Sequence, residues 1–179
     1  TIVSSGQQLI ISSGVTSSGI TVENGGVVEV SSGGALLNAN VSSGGFVEVL
    51  SGGFGSGLSI SSGGALELLG SQNANYAINA GGALQIGQGA ILSNYLVNNG
   101  TNLQVLSGGS VYNATVNNGG TLTVSSGGIA RSTTVNNDGL LVMSAGGQAL
   151  AGIVNSDGLL TVLAGGATYQ MNISSGGAL

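Results

Sequence analysis

The chain has 179 residues, 36 of them Gly, with 41% apolar and only 4% charged residues and no Pro, Cys, Trp or His. Arg131 is its single basic residue against six acidic ones, too few cations to neutralise nucleic-acid phosphates or to hold an anionic membrane surface. No apolar run reaches the roughly 20 residues of a spanning helix, and without cysteine there is neither a disulfide nor a thiolate metal site.

Disorder would call for high net charge and few β-branched residues, whereas Val, Ile and Leu recur throughout this chain. No signal peptide is visible, so the sequence reads as cytosolic or as the mature part of an exported chain.

In chain order, an apolar residue stands before a turn at Val3, Val22, Val41, Ile60, Ile78, Val97, Val116, Val135, Val154 and Ile173. Every step is 19 residues except the 18 from Ile60 to Ile78. Six residues past each anchor comes a second apolar column, from Leu9 and Val28 through Leu66, Leu84 and Leu103 to Leu179. Eight past comes a third, from Ile11 and Val30 through Ile86 and Val105 to Val162. The second and third columns alternate with mostly polar residues, which predicts a half-buried strand in each repeat.

A turn such as "ENGG" or "NNDG" precedes that strand and one such as "SSGG" follows it, giving two expected corners per repeat. Gly tolerates positive φ there, and Asp138 and Asp157 stand where most repeats carry Gly. Seventeen past the anchor lies a looser column that includes Tyr76 and Tyr95, both expected inside the coil. One repeat cannot bury its own apolar side, so repeats must stack, with equivalent residues about 4.8 Å apart. Frequent Gly-Gly pairs disfavour helical solenoids. The expected fold is all-β: a parallel β-helix with coils of about 19 residues. It forms one unit over 1–179, nine coils plus a partial tenth, and the break at Leu179 within a strand suggests a piece of a longer array.

Three files of polar residues are candidate sites. Glu29, Glu48 and Glu67 recur seven past the anchor and continue as Gln85 and Gln104; alternation turns them outward, where they would form a solvated strip, a self-association contact or a cation-binding strip. Unit charges about 4.8 Å apart in water repel by roughly 0.8 kcal/mol, and stacked amides can bond along the axis. Serine doublets fill the corners: Ser4-Ser5, Ser12-Ser13, Ser31-Ser32, Ser42-Ser43, Ser61-Ser62, Ser125-Ser126 and Ser174-Ser175. Their hydroxyls suit turn chemistry. Asn79, Asn98, Asn117, Asn136 and Asn155 form a further file of structural type, with Asn99, Asn118 and Asn137 beside it. Asn113 and Asn172 open N-x-[ST] triplets.

No G-G-x-G-x-D calcium repeat and no T-x-T ice-binding file is present, and no cofactor is implied. Two carboxylates about 5 Å apart would suit a retaining glycoside hydrolase, but no His, Lys or long cleft-building loop accompanies them.

"VNNGGTLTVSSGGIARSTTV", Val116–Val135, resembles the imperfect repeat of the AIDA-type autotransporter adhesins of Gram-negative bacteria, with TibA-like members nearest; "VNSDGLLTVLAGGATYQMNI", Val154–Ile173, repeats it. The resemblance implies a right-handed β-helix, the secreted passenger shown at the outer membrane by a barrel that this chain lacks. It implies autoaggregation by homotypic contact, biofilm formation and adhesion to a host surface glycan or protein. It also implies O-glycosylation at the serine doublets by a heptosyltransferase. A polysaccharide-active β-helix enzyme and an inert spacer are the competing readings.

Overall fold

Alternation along "VVEV" is realised as a strand, Val27–Val30, in which Val28 and Val30 are buried and Val27 and Glu29 half-buried. The computed structural model describes residues 1–70 and 73–179, and every described element is a strand or a turn. They fall into two compact units, Thr1–Gln85 and Ile86–Leu179, each a parallel β-solenoid.

In the first unit, the four-residue strands Gln8–Ile11, Val27–Val30, Phe46–Val49 and Ala65–Leu68 stack in parallel, Leu9 over Val28, Val28 over Val47 and Val47 over Leu66. A second face carries the three-residue strands Thr16–Ser18 and Ala35–Leu37, and a third carries the two-residue strands Ile2–Val3, Thr21–Val22 and Asn40–Val41. The strand Phe54–Ile60 runs through both of those faces, pairing with Ala35–Leu37 at one end and Asn40–Val41 at the other.

The second unit repeats the plan. Its four-residue strands are Asn102–Val105, Thr121–Val124, Leu140–Met143 and Leu159–Val162. Its three-residue strands are Ile91–Ser93, Ser110–Tyr112, Ile129–Arg131, Gln148–Leu150 and Ala167–Tyr169. The two-residue strands run from Leu96–Val97 to Asn172–Ile173.

Each 19-residue coil therefore has three faces and three corners, where the sequence predicts two corners. Gly19, Asn38, Gly57, Asn94, Asn113, Ser132, Ala151 and Gln170 make the third, all with φ between 51° and 67°. Two of these eight are Gly and three are Asn, which also tolerates positive φ, but Ser132, Ala151 and Gln170 break the mark. The 18-residue coil lies at this corner. Asn75 pairs with Ser56 and Tyr76 with Leu58, so the register passes over Gly57. The residue that the short repeat drops is the left-handed one.

Corners are laddered as the strands are. Gly25 N–H donates to the Gly44 carbonyl at 2.9 Å and Gly44 to Gly63 at 2.8 Å; in the second unit Asp138 donates to Asp157 at 2.9 Å. Asp138 and Asp157 take φ of 52° and 58°, as their place in the Gly column predicts. The two glycines of a pair differ in what they need. Gly44 turns the chain at φ 73°, whereas a Cβ on Gly45 would collide with the Val22 carbonyl oxygen of the coil below. The first glycine supplies conformation and the second supplies clearance.

The three apolar columns form the core, with Val28, Val47, Leu66, Leu84, Leu122 and Leu141 all fully buried. A further inward column, unmarked in the sequence, runs through Leu36, Val111, Ala130 and Ala149 in the middle of the three-residue strands. Tyr76 and Tyr95 are half-buried rather than enclosed, whereas Ile20, Ala39, Leu58, Ala114 and Thr133 in the same column are fully buried. Met171 lies where Gly152 leaves room, close enough for its Sδ to accept the Gly152 N–H at 3.3 Å.

Ala151 holds φ 54° with a Cβ, a conformation that costs an L-residue roughly 1–2 kcal/mol. Ala151→Gly removes that strain at an exposed corner, offset by the greater entropy of an unfolded Gly. We expect a net gain of about 0.5–1 kcal/mol in denaturant unfolding; a loss of stability would show that the third corner is not a left-handed turn in solution.

Candidate functional site

Alternation inside the four-residue strands places the glutamates outward and the parallel register superposes them. Glu29 pairs with Glu48 and Glu48 with Glu67. All three are half-buried, flanked on the same strands by the outward Val27, Phe46 and Ala65. Ser31 Oγ donates to Glu29 Oε1 at 3.1 Å. Burial, with the adjacent Glu48 carboxylate as the smaller cause, holds the Glu67 carboxyl above its ordinary range. Gln85 occupies the equivalent outward place in Ala83–Ile86, and Gln104 in Asn102–Val105, each half-buried.

The serine doublets sit at the first two corners of their coils, and the structure separates their members. Ser5, Ser13, Ser32, Ser43, Ser62, Ser126 and Ser175 are all exposed, whereas Ser4, Ser31, Ser42, Ser125 and Ser174 are half-buried; Ser12 and Ser61 are exposed as well. The second hydroxyl lies over the glycine of the next coil. A Cβ on Gly33 would come 2.5 Å from Ser13 Oγ, and one on Gly52 2.6 Å from Ser32 Oγ. Glycine there keeps the serine uncovered.

The asparagine file is a continuous amide ladder in the second unit. Asn117 Nδ2 donates to Asn98 Oδ1, Asn136 to Asn117 and Asn155 to Asn136, each at 2.9 Å. Asn79, in the first unit, donates instead to Ser59 Oγ at 3.2 Å. Beside the ladder, Asn118 Nδ2 donates to Asp138 Oδ2 at 3.0 Å. Asn113 turns the exposed third corner and donates to Asn94 Oδ1 at 3.3 Å, while Asn172 is exposed in its strand.

One file escapes sequence reading. On the three-residue strands of the second unit Tyr112 pairs with Arg131, Arg131 with Leu150 and Leu150 with Tyr169. Arg131 is exposed, Tyr169 is 54% exposed, and Tyr112 and Leu150 are half-buried. The signal was available as a fixed 19-residue spacing, but a column that mixes Tyr, Arg and Leu does not stand out. Among the described residues no group of three or more His, Cys, Asp or Glu could hold a metal ion.

Glu67 binds its proton more tightly folded than unfolded, so its contribution is fully present below about pH 4.5 and is lost as pH rises through its higher folded pKa. Glu67→Gln removes that loss. Its melting temperature is expected to exceed the parent's near pH 7 and to converge with it near about pH 3. Equal melting temperatures at neutral pH would rule out strain in the strip.

Residues 77–139 match the model of a family described as adhesin of bacterial autotransporter system, probable stalk. No curated protein matches the chain. Among solved structures, the crystal structure of a TibC-catalysed hyper-glycosylated TibA fragment aligns with a TM-score of 0.43 at 26% identity, covering 99% of this chain and 85% of that one. The matched segment contains the Asn117-to-Asn98 amide bond and the corner from Gly119 to Asp138, the same coil geometry that recurs through the second unit. The similarity to the adhesin stalk of bacterial autotransporter systems thus extends over residues 77–139 of this chain.

Proposed function

We propose that this chain is a secreted passenger array displayed on a bacterial surface, where it mediates autoaggregation, biofilm formation and adhesion to a host surface glycan or protein. The observation that carries this reading is the adhesin-stalk match over residues 77–139. The geometry supports it through repetition. Whatever one coil presents outward, the next presents again about 4.8 Å further on. A single exposed hydrogen bond contributes about 1 kcal/mol, so one contact holds nothing, whereas many in register on two cells act together. The Glu29, Glu48 and Glu67 strip, with Gln85 and Gln104, is the self-association surface of this reading.

The same proposal makes the corner serines acceptors for O-linked heptose added by a dedicated glycosyltransferase. Exposure favours the second member in five doublets, Ser5, Ser32, Ser43, Ser126 and Ser175, while Ser12 and Ser13, and Ser61 and Ser62, are exposed alike. A second reading, an inert spacer that holds an adhesive tip away from the cell, is favoured by the word stalk in the family's description.

Display of the chain on otherwise dispersed cells separates the two. Settling of the culture and clumps under the microscope are expected for an adhesin; a culture that stays dispersed supports the spacer. Intact-mass and peptide analysis of material from the native host is expected to show hexose-sized or larger additions on second serines. An unmodified mass would reject the sugar.

A further inference from the structure

Among the described residues, charges on two separate faces lack partners. The guanidinium of Arg131, the sole cationic side chain, is exposed and has neither an ion pair nor a hydrogen bond among the described residues. The carboxylates of Glu48 and Glu67 likewise have no donor among the described residues, although they stand in register on one strip. Each patch carries the chemistry that the other lacks.

We propose that a second copy of this chain docks its Tyr112–Arg131–Leu150–Tyr169 file on the Glu29–Glu48–Glu67 strip. The inference rests on the self-association reading above and names the partner faces. Three observations converge on a second copy rather than another partner. The pitch is shared: both files are parallel ladders of one fold, so donors and acceptors repeat at the same interval of about 4.8 Å and stay in step when the two axes are aligned. The composition fits, because Tyr and Arg are the residue types that dominate the centre of protein interfaces. The guanidinium fork matches carboxylate geometry with two parallel N–H···O bonds, and the hydroxyl of Tyr112, one coil from Arg131, can donate to the carboxylate next to the one that Arg131 takes. Apolar surface lies beside both files, with Phe46 and Val27 on the acidic side and Ile129 on the other. The two patches are different surfaces, so the contact is heterologous and continues from copy to copy instead of closing as a pair. Open-ended addition is what clustering between surfaces needs.

The test is sedimentation of the full 179-residue chain, with circular dichroism to confirm that each variant is folded. Arg131→Glu and Glu48→Lys are each expected to weaken association at least tenfold, and an equimolar mixture of the two is expected to recover it through the restored pair. Arg131→Gln, which adds no charge, is expected to weaken association in the same direction. Raising the salt concentration should weaken the parent. The proposal is overturned if Arg131→Glu associates as the parent does, or if the mixture shows no recovery. It is also overturned if Arg131→Glu loses retention on a hyaluronate column while self-association is unchanged, which would assign the patch to an acidic glycan. Cells displaying the parent separate this failure from that of the parent reading. If they stay dispersed, the self-association reading itself falls. If they clump, and clump equally with Arg131→Glu, only the assignment of faces falls.

Discussion

The structure depends on one constraint: after each coil the backbone must return to the same bearing, displaced by the spacing of one hydrogen-bonded strand. The strands alone do not secure this, since a coil has only about nine strand residues in pieces of two, three and four. The corners complete it. Where Gly44 N–H donates to the Gly63 carbonyl and Asp138 to Asp157, the turns are rungs of the same ladder. Backbone polar groups that would be orphaned in an ordinary loop are paired along the axis. A parallel stack with paired corners is also what allows strands of two residues to persist, because each is held from above, from below and at its ends.

This explains how a chain with 36 Gly can be rigid. Glycine normally raises the entropy lost on folding. Here the first glycine of a pair takes the left-handed turn, and the second permits a carbonyl of the neighbouring coil to approach where a Cβ would stand, as at Gly45 against Val22. The entropy cost is offset by hydrogen bonds that only close approach permits. Asp138 and Asp157 replace the first glycine and leave the second, Gly139 and Gly158, in place, while Thr101 stands at the second position after Gly100.

Legibility in the sequence follows the same division. Columns with one repeated side-chain type were readable: Val at the anchor, Leu six residues on, Gly at two corners, Glu on the outward strip. The third corner was not, because its Gly and Asn are mixed with Ser132, Ala151 and Gln170, which reach positive φ under tertiary constraint rather than by propensity. The inward column through Leu36 and Val111 was hidden by size variation from Gly55 to Leu36, which the stack tolerates because adjoining columns fill the space. Arg131 was visible only as a charge count. Its neighbours in space, Tyr112 and Leu150, are a whole coil away in sequence, so nothing local announces the patch.

A stack also multiplies whatever it repeats, and the two polar files show both signs of that effect. An amide is its own complement: in the ladder from Asn98 to Asn155, Asn117 and Asn136 each accept from the next coil and donate to the previous one, so extension adds a bond per coil and partial burial strengthens it. A carboxylate has only acceptors, so stacking Glu29, Glu48 and Glu67 adds repulsion per coil, and burial deepens the penalty, as the raised Glu67 pKa records. The amide file therefore stabilises the solenoid from within. The glutamate file remains short of donors, and only a group from outside its own strip can satisfy it. That asymmetry, set by which side-chain type occupies an outward register position, separates a file that serves the fold from one that is available to a partner.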